Sequence, residues 1–201
     1  MKNKREIVEQ TRLAFEFIGK LYLEASYLVK EIEGMLAEED EKFIIGRPSG
    51  YGVTTRSSTG LEPNLVRLWP MRKFGVFFVE EEKTELKTGQ TNTPLNENMK
   101  LLYMRVILDD LKYAEPVISF GALYEIEKKP TVKWTKFEQM MAYFEYRDDK
   151  IFRLSDTVDY EDTCLKMKGH LNRANLFDIN NSDDIRTIII EPALKIYRSS
   201  T

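Results

Sequence analysis

The sequence predicts an α+β fold: a long N-terminal helix, a central mainly antiparallel or mixed sheet of 4–6 strands, and a C-terminal helix. Apolar residues recur every seven positions near the N-terminus, and aromatic and β-branched runs are concentrated between residues 74 and 129. The chain has 201 residues, 42% of them hydrophobic, which is enough for a sizeable core. We therefore expect a helical segment at 1–45, a basic Gly/Ser loop at 46–73 and an α+β body at 74–201, with the helix packed on the body as one domain.

The N-terminal helix is predicted from a seven-residue repeat that no proline interrupts before Pro48. The repeat consists of Ile7, Ala14, Leu21, Leu28 and Met35, with Ile18, Ala25 and Ile32 four residues after three of them. A continuous helix from Lys4 to Glu38 would be about 50 Å long, which exceeds a small domain. Either the helix breaks near Gly19 or Gly34, or one end projects and pairs with another chain. A core helix lying on a sheet is favoured over a coiled coil.

Three strands are predicted from dense apolar runs at 74–80, 100–110 and 116–129. Pro116 stands at the start of the third run, where a strand tolerates its missing N–H. The polar stretch at 80–98 is long and has no apolar period, so it predicts an exposed excursion between strands.

The region after residue 134 is predicted as a helix over 136–146 and a strand over 150–154, although 143–154 is also compatible with two strands around a turn. Thr135 and Glu138 have the spacing of a capping box, which favours the helix.

The C-terminal region is predicted as a strand at 164–179, interrupted at Gly169, followed by a helix with Asn181 or Ser182 as its N-cap. Ile185, Ile188 and Ile189 are expected to face the core. Pro192 is expected to kink that helix or to open a new one.

Composition limits the possible functions. The net charge of −3 argues against a dedicated nucleic-acid binder, so nucleic acid is a possible ligand but not the favoured one. No run approaches the roughly 20 apolar residues of a membrane span, and the charged N-terminus does not have the pattern of a secretory signal. Cys164 is the only cysteine, which fits a reducing compartment, so a cytoplasmic location without membrane contact is expected.

Common catalytic motifs are absent. His170 is the only histidine, and no G-x-S-x-G, H-E-x-x-H, C-x-x-C or phosphate-loop pattern occurs. A structural role is expected for His170, and a small buried apolar role for Cys164. No resident cofactor or metal is expected, and the chain is interpreted as more typical of a binding protein than of an enzyme.

A basic stretch at 46–73 stands out in an otherwise acidic chain. It holds five positive residues and one acid, a net charge of +4 within a chain of −3. Arginine dominates the stretch, which suits contacts to phosphate or carboxylate groups, and aromatic rings add stacking surface. The candidate ligand-binding residues are Arg47, Tyr51, Arg56, Arg67 and Trp69. The alternative is a solvated loop whose arginines balance acids elsewhere, such as Glu80-Glu81-Glu82.

One possible catalytic group lies in the predicted sheet. Asp109 and Asp110 end one strand, and Glu127 and Lys129 end the next, an arrangement in which carboxylates could hold a divalent cation such as magnesium while the lysine orients water. Alternation from Ile118 to Ile126 predicts an apolar face opposite these groups. With its flanking helices, residues 1–170 resemble the restriction-endonuclease-like nucleases, which carry a D…(D/E)xK motif. Cross-strand ion pairing explains the same residues.

The sequence thus predicts a binding or assembly domain that forms a homo-oligomer and contacts an anionic ligand or protein partner through residues 47–73. One alternative is a metal-dependent nuclease or phosphodiesterase that uses Asp109, Asp110, Glu127 and Lys129. Another is a structural subunit whose N-terminal helix is the interface.

Overall fold

The computed structural model describes residues 3–45, 73–84, 99–110, 112–135, 139–140, 143–144 and 157–200. Within them, the chain forms a long N-terminal helix, a six-stranded antiparallel sheet and a C-terminal helix, which confirms the predicted α+β class. The expected strand at 150–154 and the loop at 46–72 lie outside the described residues. Of the helix expected at 136–146, the described residues 139–140 and 143–144 are helical.

The described chain begins with a long helix, continues through six strands and ends in a C-terminal helix. Helix α1 spans Lys4–Ala37, and a single turn α2 spans Glu81–Thr84. The strands are β1 (Phe43–Ile45), β2 (Lys73–Glu80), β3 (Met99–Ile107), β4 (Val117–Lys128), β5 (Thr157–Glu161) and β6 (Leu165–Asn175). A 3₁₀ turn at Leu176–Asp178 leads to the C-terminal helix, which comprises α3 (Ser182–Asp184), a π-helical segment (Ile185–Ile190) and α4 (Glu191–Ser199).

The sheet has the strand order β1-β2-β3-β4-β6-β5, and every neighbouring pair is antiparallel. The central strands β2, β3 and β4 are those predicted from apolar runs, and their residues are almost wholly buried. Such continuous burial arises because both faces of the sheet are covered. One apolar cluster joins the first face to α1 and the C-terminal helix, and a second covers the opposite face.

Helix α1 is continuous over 34 residues, so the predicted break near Gly19 or Gly34 is wrong. No neighbouring atom lies within 4 Å of a Cβ built at either glycine, so neither marks a tight contact or a bend. Burial begins at Tyr22 and ends at Leu36. The helix is about 50 Å long, and its N-terminal half extends beyond the core. The projecting end of our second interpretation is thus observed, whereas its pairing with another chain stays a prediction.

Strand β6 runs from Leu165 to Asn175 without the interruption expected at Gly169. Gly169 pairs with Val158 on one side and with Leu123 on the other. A Cβ there would lie 2.5 Å from a Leu123 methyl and 2.8 Å from the Ala122 carbonyl oxygen. The glycine therefore permits close packing within a regular strand.

A β-bulge at Glu125 changes the side-chain alternation of β4. Glu125 has a φ of 48°, and the register with β6 shifts between Tyr124 and Glu127. Ile118 packs on the first face, whereas Ile126 lies in the cluster of the opposite face. The predicted single apolar face from Ile118 to Ile126 is therefore wrong, since one extra residue reverses the direction of those that follow.

The C-terminal helix begins as the sequence predicts. The Asn181 side chain is the N-cap and accepts a hydrogen bond from the backbone N–H of Asp184 at 3.0 Å. Ile185 and Ile189 are buried, and Ile188 packs against the same cluster from a partly buried position. Pro192 lies in the first turn of α4, directly after the π-helical segment. It therefore lies within the continuous C-terminal helix, at the point where the π-helical segment passes into α4.

Candidate functional site

The candidate carboxylates of the nuclease interpretation lie at opposite ends of the sheet. Asp109 and Asp110 follow β3 at the end where Ile107 pairs with Val117. Glu127 pairs with Lys166 at the far end of β4. Ten residues of strand separate the two ends, roughly 33 Å at 3.3 Å per residue. Carboxylates that share a cation must lie within about 5 Å of each other, so this geometry does not support the motif.

Lys129 lies at the same end as Glu127 but takes part in ion pairs. Its Nζ lies 2.7 Å from Glu161 Oε1 and 3.8 Å from Glu127 Oε1. The hydrogen bond to Glu161, with a smaller contribution from the charge of Glu127, raises the pKa of Lys129 above its usual value. Cross-strand ion pairing at a solvated sheet end therefore accounts for the E-x-K pattern.

The candidate anion-binding residues Arg47, Tyr51, Arg56, Arg67 and Trp69 all lie outside the described residues, so that hypothesis stays a prediction. Lys73, the last residue of the predicted loop, is instead the first residue of β2. Among the residues that the structure describes, no group of three or more His, Cys, Asp or Glu side chains could hold a metal ion.

His170 and Cys164 both lie near the surface. His170 is exposed on β6 and lines a shallow hollow of about 560 Å³ beside Tyr124 and Lys168. Cys164 is half-buried in the turn between β5 and β6, where its sulfur lies 3.7 Å from the Thr163 hydroxyl. The expected burial of Cys164 is therefore only partial.

A tyrosine–aspartate cluster closes the β5–β6 hairpin. Asp162 Oδ2 accepts hydrogen bonds from the Tyr143 and Tyr160 hydroxyls at 2.6 and 2.5 Å. Its Oδ1 accepts from the backbone N–H groups of Cys164 and Leu165 at 2.7 and 2.8 Å. Burial opposes ionisation, but these four hydrogen bonds outweigh it and lower the pKa of Asp162 to about 2. The hydrogen bond to Asp162 raises the pKa of Tyr143. The carboxylate is thus fully used in bracing the hairpin.

We expect Asp162→Asn to lower the free energy of unfolding by about 1–2 kcal/mol at pH 7, because two hydroxyls lose their charged acceptor. The folded pKa lies below the unfolded value, so the stabilisation is complete above about pH 4 and is lost as the pH falls towards 2. Urea unfolding of both proteins at pH 7 and pH 3 should show a smaller difference at pH 3. Asp40→Asn is the control because Asp40 is exposed. A difference that does not change with pH contradicts the assignment.

A polar row crosses the second face of the sheet. Arg105 on β3 is only 4% exposed and pairs with Ser119 of β4, which in turn pairs with Arg173 of β6. The Arg173 guanidinium lies over the Tyr113 ring, 5.0 Å from its centre. Our sequence predictions did not include this row, although a charged residue inside the apolar run at 99–107 was a signal for it.

The N-terminal half of α1 is the most exposed apolar surface of the described chain. Every residue from Asn3 to Ile18 is exposed. The large apolar side chains among them, with their exposed fractions, are Ile7 (50%), Val8 (60%), Leu13 (51%), Phe15 (71%), Phe17 (66%) and Ile18 (40%). Contiguous apolar side chains at this exposure are typical of interaction sites.

Most of these side chains continue the buried face of the same helix. Val8 and Phe15 extend, at seven-residue spacing, the buried row Tyr22, Val29 and Leu36. Ile18 likewise extends the buried row Ala25 and Ile32. Positions seven apart lie on one side of a helix, so the stripe that contacts the core runs on beyond it. The sequence repeat indicated Ile7 and Ile18, but Val8, Phe15 and Phe17 were missed because they fall outside the main repeat.

A groove begins just beyond this half of the helix, at Leu21. It has a volume of about 380 Å³ and lies between α1 and the segment at 176–185. Leu21, Glu24, Leu28 and Ile179 are among the residues that line it. Phe177, at 57% exposure, is a further apolar residue of its wall. The groove therefore extends the apolar surface of the projecting half towards the C-terminal region.

Comparison with protein-family models, with curated proteins and with solved structures gives no match for this chain. Within the described part of the chain, no helix has the length and apolar character needed to cross a membrane.

Proposed function

We propose that this protein is a protein-interaction module that docks a partner on the projecting half of α1, residues 4–18. One observation carries the proposal: the stripe buried from Tyr22 to Leu36 continues over four helical turns in which every residue is exposed. Leaving such side chains in water forfeits roughly 1.5–3 kcal/mol each relative to burial. A helix that presents spaced apolar anchors is a common way to bind a protein.

The charge of the segment favours a protein partner over a lipid surface. Helices that lie on anionic membranes carry an excess of Lys and Arg on their polar face. Here the positive and negative residues balance, so the segment has no net charge: Lys4, Arg5 and Arg12 against Glu6, Glu9 and Glu16. Arg12 also pairs with Glu9 and Glu16, at 2.8 and 3.7 Å. Its charge is thus directed along the helix surface opposite the apolar stripe.

The proposal is tested by placing a photo-cross-linking amino acid at Phe15 in the full chain, in cells that naturally produce it. We expect irradiation to yield a discrete protein adduct, which disappears when Ile18→Glu is added. The matched control carries the same group at Glu16, one residue further along and on the opposite side of the helix. No adduct from Phe15, or equal adducts from both positions, contradicts the proposal.

The predicted contact of an anionic ligand with Arg47, Arg56 and Arg67 remains a separate hypothesis, since these residues are not described. A nuclease function is not proposed, because Asp109 and Glu127 lie at opposite ends of β4.

A further inference from the structure

We infer that the partner on the projecting half of α1 is a second copy of this chain, paired antiparallel to the first. The inference rests on the proposed docking function and names its occupant. The stretch before the first buried residue, Tyr22, begins at Lys4 and ends at Leu21, which is itself partly buried against the core cluster. A two-fold axis between residues 12 and 13 pairs this stretch with itself over its whole length, because position 4 then faces position 21.

The pairing places side chains of similar size opposite each other along the contact. Ile7 of one copy faces Ile18 of the other, and Thr11 faces Ala14. These are the alternating seam positions of an antiparallel helix pair with seven-residue spacing. The small side chains at the centre let the two backbones approach closely. The exposed side chains beside the seam then also meet, since Val8 of one copy comes beside Phe15 of the other.

The charges at the two ends of the contact are complementary. Lys4, in the first turn, comes beside Leu21 and Glu24 of the second copy, both of which line its apolar groove. Glu24 is exposed. A parallel pair would instead place Lys4 against Lys4. It would also place the sheets of the two copies side by side at the same end of the helix pair. Both would then need the space that adjoins Tyr22. The antiparallel arrangement separates the two sheets.

The exposed apolar area that two copies can bury indicates how tightly they associate. The exposed parts of Ile7, Val8, Phe15, Phe17 and Ile18 in two copies amount to roughly 1,000 Å², the lower limit for a specific interface. The pair is therefore a weak dimer whose population depends on protein concentration. Leu13 is also exposed but lies outside the contact, so the chain supplies its own matched control.

The first experiment is sedimentation equilibrium of the purified full chain over a wide concentration range. We expect a monomer–dimer equilibrium that Phe15→Glu and Ile18→Glu each weaken by at least about 100-fold. Leu13→Glu makes the same chemical change off the contact and should leave the equilibrium unchanged. Circular dichroism of each variant confirms that α1 is still folded. A monomer at every concentration overturns the inference, as does equal weakening by Leu13→Glu.

The second experiment tests the antiparallel direction by disulfide formation in a Cys164→Ser background. Ile7→Cys and Ile18→Cys proteins are mixed and mildly oxidised. We expect a cross-linked dimer in the mixture and not from Ile7→Cys alone, because two Ile7 positions lie about 16 Å apart in the antiparallel pair, beyond disulfide reach. Efficient cross-linking of Ile7→Cys alone indicates a parallel pair and overturns the inference.

A charge exchange provides a third test. Lys4→Glu and Glu24→Lys should each weaken the dimer, and the double variant should restore it, whereas additive weakening overturns the proposed register. The docking function itself is judged from the Phe15 cross-linking experiment. If the purified chain is monomeric and the Phe15 adduct contains a different protein, the second copy is excluded but the docking function stands. If Phe15 gives no adduct, both fail.

Discussion

Gly121→Ala is expected to destabilise the protein strongly, and more than Gly169→Ala, where the nearest atom is the end of a leucine side chain. A Cβ at position 121 would lie 2.0 Å from the His170 carbonyl oxygen and 2.9 Å from the Leu171 Cα, both of them backbone atoms. Strands β4 and β6 would have to separate to admit it. We expect a loss of more than about 4 kcal/mol, which removes much of the stability of a typical domain. Urea unfolding followed by circular dichroism measures the loss.

The control for this prediction is the same substitution where the space is open. At Gly34 in α1 no atom lies within 4 Å of an added Cβ, and the position is helical. Gly34→Ala should therefore stabilise the protein by about 0.5–1 kcal/mol, since alanine loses less backbone entropy in a helix. Destabilisation of similar size at Gly34 and Gly121 would show that close strand contact is not the cause.

The second large effect is expected within α1, where two isoleucines of one row differ in environment. Ile32 is 1% exposed and packs in the core cluster of the first face. Ile32→Ala should lower the free energy of unfolding by about 2–5 kcal/mol, because it removes buried methyl groups and leaves a cavity. Chemical unfolding at low protein concentration, where the chain is monomeric, measures this value without a contribution from association.

Ile18→Ala is the matched control, two heptads earlier on the same side of the helix. Ile18 is 40% exposed, so its truncation should change the monomer's stability by no more than about 0.5 kcal/mol. Its effect should appear instead in the dimer equilibrium at high concentration. A loss comparable to that of Ile32→Ala would mean that the N-terminal half packs within the monomer, and would contradict the proposed docking surface.

The sequence predicted those elements whose patterns depend on local chemistry. Seven-residue spacing predicted the N-terminal helix, although it left open whether the helix is continuous, and Asn181 was correctly named as a possible cap. Apolar runs predicted β2, β3 and β4. The short strands β1 and β5 were missed, because three and five residues carry too little pattern to distinguish them from loops.

The remaining errors come from tertiary contacts that no local pattern reports. A glycine in a strand suggests an interruption, but Gly169 serves close packing against Leu123. The extra residue at Glu125 reverses the alternation at Ile126, and nothing near it in the sequence indicates a positive φ. The D…ExK motif required knowledge of strand direction. In an antiparallel pair, the end of β3 meets the start of β4, and therefore Asp109 and Glu127 are kept apart.

The strand order has a further consequence for how copies of this protein can associate. Of the described strands, β1 and β5 form the two edges of the sheet, with three and five residues. Asp159 and Glu161 add exposed acids to the β5 edge. The shortness of both edges, together with the acids of β5, leaves little backbone on which a further strand could pair, which limits growth into fibrous aggregates. If two copies pair through α1 as proposed, the sheet edges therefore favour a closed, finite assembly over a growing one.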